Sequence, residues 1–229
     1  MKSMVSNSVI LIVQARVGST RLPAKIALDF GGDPMLVRLL KRLDNKERGF
    51  QCVVATSTEK RDDLTEEFAR LVGWNVHRGS ESDVLSRFVG AFAEFGDGAD
   101  TVIRVCSDNP LLGFSDVKQI YDRFCASDID FLANANGPEV HEDGFAVEVF
   151  HSKYLIEADE KAIEAYDREH VCPWIKRNKK VAYTQLDKRY KSKLSVDTLE
   201  DYLRVREMNQ RLKPGFTMAE VCDFIQIQN

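Results

Sequence analysis

Five consecutive aliphatic residues, Val9-Ile-Leu-Ile-Val13, stand near the start of the chain. A run of that length has no polar face to turn to water, so it reads as a strand buried on both sides, as in a parallel sheet. Behind it comes Gln14-Ala-Arg-Val-Gly-Ser-Thr-Arg-Leu-Pro-Ala-Lys25, a loop with three cations, one glycine, two hydroxyls and a stiffening proline. Loops at the carboxyl ends of parallel strands are where α/β proteins hold ligands. Gly18 lets the backbone approach closely, and Ser19, Thr20 and the loop amides can donate. Arg16 and Arg21 suit the forked geometry of a phosphate, and Lys25 adds a point charge. The stretch reads as a polyphosphate cradle or, alternatively, as a basic surface loop. A Walker loop and a three-glycine dinucleotide fingerprint are both absent from it.

The first half of the chain keeps the rhythm that the aliphatic run begins. Strands are expected at 51–56, 74–77 and 101–105, and helices from Asp33-Pro34, at 62–72, from a cap at Ser82, and from Ser115. Four strand–helix alternations predict an α/β fold with a doubly wound, mostly parallel sheet. From about residue 130 the rhythm breaks. A strand over Phe145–Phe150 places Phe145, Val147 and Val149 on one face and Glu148 on the other, toward a cleft or solvent. Two helices are expected at 152–165 and 169–177, then a Lys- and Arg-rich solvated edge at 179–193. Residues 130–193 thus form a small inserted α+β segment of a single domain spanning 1–229. A long helix from Ser195-Val-Asp-Thr198 and an amphipathic one over Met218–Ile225 complete the chain.

A chain of 229 residues with 44% hydrophobic and 30% charged content can bury a good core. Its net charge of −4 argues against a nucleic-acid binder, and no apolar run reaches membrane-spanning length. Five cysteines without a Cys-x-x-Cys pair, and only four histidines, argue for reduced thiols in a cytoplasmic protein and against zinc.

Two carboxylates end apolar segments. Asp108 follows the strand at Thr101–Val105, where it either faces the same crevice as the loop or forms an Asp-Asn-Pro turn. Asp197 follows Leu194–Val196 and is either the cap of the next helix, a residue beside that cap, or a site residue. Thr56-Ser57 lines a base edge or simply ends a strand. Asp128-Ile-Asp130 precedes a strand rather than following one, the wrong place for a nucleotide-sugar metal motif.

Ala15-Arg-Val-Gly-Ser-Thr-Arg-Leu-Pro-Ala-Lys25 resembles the signature loop of the cytidylyltransferases that activate acidic sugars, such as Kdo and sialic acid, and most nearly their spore-coat polysaccharide branch. The resemblance runs over roughly residues 8–208. It implies a Rossmann-like nucleotidyltransferase fold and transfer of CMP from CTP to an acidic sugar-like acceptor, with pyrophosphate released. It implies that Ala15, Arg16, Gly18, Ser19, Arg21 and Lys25 hold the nucleotide, with Arg16, Lys25 and Asp108 catalytic. Val105-Cys-Ser-Asp-Asn-Pro-Leu is similar to the family's Gly-Asp-x-Pro-Leu, with Ser107 in place of the usual glycine, and Val196-Asp-Thr198 to its second metal segment. Asp108 and Asp197 would therefore share Mg2+, since two carboxylates beside a polyanion need a cation between them. Arg78-Gly-Ser80, within a segment similar to the family's Arg-Gly-Ser-x-x-Asp-Val-Leu-x-Arg, would contact base and ribose, with Thr56 nearby. Asp167-Arg-Glu-His-Val171, otherwise a helix start, resembles the family's Arg-Glu-His-Val and makes Arg168 and His170 acceptor-binding candidates together with Glu148. A homodimer through residues 130–180 is expected on the same ground. A nucleotide-sugar-dependent glycosyltransferase of similar fold and a non-catalytic nucleotide-binding protein are the alternatives.

Overall fold

The computed structural model describes residues 8–44, 50–135, 144–184 and 193–228. Strands β1 (Ser8–Gln14), β2 (Phe50–Ser57), β3 (Asn75–Gly79) and β4 (Ala99–Cys106) run parallel in the order β3-β2-β1-β4. The aliphatic run is the centre of the sheet, and Val9 through Val13 are inaccessible to water. Alternate side chains of a strand leave on opposite faces, so Val9, Leu11 and Val13 enter one core and Ile10 and Ile12 another. Helices α1 (Met35–Leu43) and α2 (Asp63–Leu71) close the first face, α3 (Val84–Phe95) the second, and α4 (Phe114–Cys125) the first again. That is the doubly wound arrangement. Its strand order reverses between β1 and β4, the place where such sheets leave a crevice beyond their carboxyl ends.

The later segment extends this same sheet. β5 (Phe131–Ala133) pairs antiparallel with β6 (Val147–His151), which in turn lies antiparallel to β4. Between β6 and the last strand come α5 (Ser152–Lys161), α6 (Ala165–His170) and α7 (Pro173–Asn178), three helices where two were expected. Ala162 is extended (ψ 111°), Val171 has φ 68°, and Pro173 opens α7 at a position that suits its missing amide hydrogen. Leu155, Ala158 and Ile175 join the second core, so the segment covers one face while it lengthens the sheet. β7 (Val181–Tyr183) pairs parallel with β5 inside the stretch read as a solvated edge. The strand is only three residues long and follows directly on Lys179 and Lys180, and that is why the charge run concealed it. The expected loop at 137–143 and the rest of the basic stretch at 185–192 lie outside the described residues.

α8 (Leu199–Arg211) and α9 (Met218–Gln228) return to the first core through Tyr202, Val205, Met208 and Val221. Asp83 rather than Ser82 caps α3, and Pro34 rather than Asp33 precedes α1. None of the five cysteines forms a disulfide. Gly144, just before β6, has φ 103°, and a Cβ there would meet the Leu194 carbonyl carbon at 2.4 Å. Gly144→Ala should therefore destabilise the protein by more than roughly 1 kcal/mol, read as a shift of the urea midpoint at unchanged slope. An unshifted midpoint would mean that the two segments do not touch.

Candidate active site

The signature loop leaves β1 and is folded by its own backbone. Ser19 N donates to Val17 O at 2.8 Å, Ala24 N to the same oxygen at 3.2 Å, and Lys25 N to Leu22 O at 3.3 Å. Ala24 sits in the left-handed region (φ 54°), a conformation that is costly for a residue with a side chain. The turn it makes sends Lys25 back under the loop. A carboxylate missed by sequence reading fixes the loop to the sheet. Asp62, wholly buried just before α2, accepts from Val17 N at 2.6 Å and from the hydroxyls of Ser57 and Thr65. Its signal in the sequence was slight, a hydroxyl and an acid five residues apart across the end of β2.

The loop forms one wall of a cavity of about 960 Å³ at the carboxyl ends of β1 and β4. Arg16, Gly18, Ser19, Arg21 and Lys25 line it, and Asp108 and Asp197 face them. Lys25, nearly buried, donates from Nζ to Val196 O at 2.6 Å and to Asp197 at 3.3 Å, and stands 3.6 Å from Asp108. Arg21 reaches Asp197 at 2.9 Å and Arg16 reaches Glu81 at 3.5 Å. The two carboxylates converge although Leu194–Val196 is not a strand. A single backbone bond, Val196 N to Asp108 O at 2.8 Å, brings the segments together. Asp197 does not cap the next helix. Thr198 does so, its hydroxyl accepting from Asp201 N while Asp201 accepts from Thr198 N and Asp197 N. Ser107 has no left-handed backbone, so serine is compatible with the turn that usually carries glycine.

Other expected residues are placed differently. Arg78 turns away from the cavity and straps the start of α2, donating to Ser57 O, Glu59 O, Asp63 and Glu66. Gly79 permits close packing on Arg87 of α3, where a Cβ would come within 3.1 Å. Thr56 is buried behind the wall, whereas Thr58, Glu59 and Ser80 line it. Ala15 is buried and continues the sheet, donating from its amide to Ala55 O.

On the acceptor side only His170, with its neighbour Glu169, reaches the cavity. Cys172 N donates to His170 O at 2.8 Å around Val171, a γ-turn of the rare positive-φ kind. Such strain at a buried β-branched residue, on the order of 1–3 kcal/mol, is what functional sites tend to store. Arg168 does not face the cavity; it joins Asp83 at the start of α3 to Asp159 of α5, each at 2.6 Å. Glu148 points to neither cleft nor solvent. It is buried opposite Arg104 in the β4–β6 ladder and also binds Lys176 at 2.6 Å. Arg104 passes the contact on, donating to Gln14 Oε1 at 2.9 Å, and Gln14 lines the cavity beside Cys106. Burial pushes the Cys106 thiol up to about 11, so it is a neutral part of the wall.

Comparison with known proteins now has a geometry to be set against. The cytidylyltransferase family model matches residues 10–215. The chain belongs to the cytidylyltransferase family. It is 30% identical to the spore coat polysaccharide biosynthesis protein SpsF of Bacillus subtilis, over 94% of this chain and 92% of that protein. It is 23% identical to the 3-deoxy-manno-octulosonate cytidylyltransferase of Francisella tularensis, over 91% of this chain and 87% of that enzyme. A solved cytidylyltransferase from Leptospira borgpetersenii superposes with a TM-score of 0.86 at 30% identity, covering 96% of this chain and 94% of that one. The glycosyltransferase and non-catalytic alternatives give way to a cytidylyltransferase.

In this cytidylyltransferase the acidic pair is unequal. Burial raises the Asp108 carboxyl and Asp197 raises it further, with Lys25 opposing them. Asp197 is partly buried too, yet Lys193, Lys25 and Arg21 outweigh that and hold it below the usual range. Two hard oxygen donors that already converge on one ammonium suit a divalent cation. Among the described residues no cluster of three or more acidic, histidine or cysteine ligands is present. Such a cation would thus complete its coordination with phosphate oxygens and water, as magnesium commonly does.

Glu148 yields a stability prediction. Burial opposes its ionisation, but Arg104 and Lys176 prevail and hold it at about 2, below the ordinary 4.5. A lowered carboxylate contributes stability above its unfolded value, and that contribution fades as pH falls from 4.5 toward about 2. Glu148→Ala leaves two partly buried cations without their shared carboxylate and should cost about 3 kcal/mol at neutral pH. The variant's acid limb below pH 4.5 should also be flatter. Thermal melts against pH test both, and an unchanged acid limb would refute the ion-pair reading.

Proposed function

We propose that this cytidylyltransferase transfers CMP from CTP to a sugar-like acceptor of surface polysaccharide biosynthesis and releases pyrophosphate. The observation that carries the reading is the meeting of Arg16, Arg21 and Lys25 with Asp108 and Asp197 around one cavity. Arg16 and Arg21 bind the polyphosphate, and Lys25 follows the charge that builds as pyrophosphate departs. Ser80 and Thr58 border the nucleoside end, and Gln14 and His170 border the acceptor. An acceptor oxygen attacks the α-phosphorus in line, and the protein contributes mainly position and charge. A divalent cation, magnesium in this reading, held by Asp108 and Asp197 would polarise the α-phosphate. The acceptor class rests on the names of the relatives, one tied to a spore coat polysaccharide and one to an octulosonic acid. A second copy of the chain would pack on the surface around Ile163, just before α6, and Tyr166 within it, which are 88% and 62% exposed.

The test is pyrophosphate release with each of the four nucleoside triphosphates against a panel of octulosonic and nonulosonic acids. Turnover is expected with CTP and one acidic sugar. Asp108→Asn and Asp197→Asn should keep the fold and lose on the order of 10²–10³ in rate, the usual loss for one charge-stabilising group. Equal rates with all four nucleotides, or full activity in both variants, would refute the assignment.

A further inference from the structure

Arg16, Arg21 and Lys25 are not all of the positive charge beside the signature loop. Arg61, in the turn of 3-10 helix at Lys60–Asp62, lays its guanidinium along the backbone of Gly18. A Cβ built on Gly18 would stand 3.3 Å from both Cζ and Nε of Arg61, and 3.2 Å from Oε1 of Glu81. The turn that carries Arg61 is fastened to the loop, because the next residue, Asp62, accepts from Val17 N at 2.6 Å. Arg61 donates to Oε1 of Glu81, the same oxygen that accepts from Arg16 at 3.5 Å. One carboxylate oxygen on the cavity wall is thus shared by two arginines from different elements, one on the loop and one beyond it.

Stability gives little reason for this arrangement. The Arg61 side chain is 49% exposed, and an ion pair so open to water adds little to folding. A carboxylate beside a polyanion's cradle would also repel the ligand. An oxygen placed between two guanidinium forks is, however, where a non-bridging phosphate oxygen would sit. We propose that Glu81 takes the place of a nucleotide phosphate until the nucleotide binds, and that Arg61 is a fourth cation of the cradle. Arg61 acts on the β- or γ-phosphate, because in this reading the α-phosphate belongs near Asp108 and Asp197, which pair with Lys25 and not with Arg61. On ligand entry the polyphosphate takes both arginines and Glu81 is released to water. Glycine at position 18 leaves both side chains room, since a Cβ there would stand 3.2–3.3 Å from them and make them give way.

The inference rests on the reading that the cavity takes a nucleoside triphosphate, and its test keeps the two apart. Calorimetric titrations with inorganic tripolyphosphate, CTP, ATP, GTP, UTP and CMP are compared in wild-type protein, Arg61→Met, Arg61→Lys and Glu81→Gln, with thermal melts to confirm folding. Arg61→Met should weaken tripolyphosphate and CTP by about tenfold, the scale of one charge-assisted bond, and leave CMP unchanged. Arg61→Lys should fall between. Glu81→Gln should bind metal-free tripolyphosphate more tightly than wild type. No change in Arg61→Met, equal weakening of CTP and CMP, or weaker tripolyphosphate binding in Glu81→Gln would overturn the proposal. Wild-type protein that binds tripolyphosphate but does not distinguish CTP from other triphosphates would refute the cytidine reading and leave this one standing. Wild-type protein that binds no polyphosphate would overturn both.

Discussion

The ammonium group of Lys25 is the point on which the site depends. It is nearly buried, and removing such a charge from water is costly unless it is paired and hydrogen-bonded. Its partners come from parts of the chain far apart in sequence: the carbonyl of Val196, and the carboxylates of Asp108 and Asp197. Three local devices make the meeting feasible. The left-handed turn at Ala24 returns Lys25 beneath its own loop. The bond from Val196 N to Asp108 O joins the entrance of α8 to the end of β4. The Thr198–Asp201 capping box frees Asp197 from the helix end, where an aspartate would otherwise serve as cap.

The same principle extends along the cavity wall. Each cation of the loop is held by an acid, Arg21 by Asp197, Lys25 by both aspartates and Arg16 by Glu81. A chain with a net charge of −4 can therefore build an anion site, because what matters is local geometry and not the overall balance. Pairing keeps the cations in position at little reorganisation cost, so a polyphosphate, as proposed, would bind by an exchange of partners. Nearby strain at Ala24 and Val171 marks the same region as one where local stability was conceded to placement.

How far the sequence revealed this varied with the range of the interactions. The parallel core was legible because five aliphatic residues admit little else, and the loop because its residue types lie side by side. Asp108 and Asp197 were legible as candidates, but their meeting rests on one backbone bond that no local pattern announces. Arg78, Arg168 and Glu148 misled for one reason. Each is a charged residue of a suggestive segment, and each is engaged by acids or bases outside that segment, Asp63 and Glu66, Asp83 and Asp159, Arg104 and Lys176. Asp62 escaped notice because a buried acid bonded to an amide looks, in sequence, like an ordinary helix start.

The central claim is that Asp108 and Asp197, which meet on the Lys25 ammonium, would hold a divalent cation together with the nucleotide. A crystal structure of the enzyme soaked with CTP and manganese, with the metal located by its anomalous scattering, tests this directly. The expected result is a metal held by Asp108 and Asp197, with the Lys25 ammonium on the phosphates. A metal bound elsewhere, with Lys25 still between Asp108 and Asp197, would contradict it.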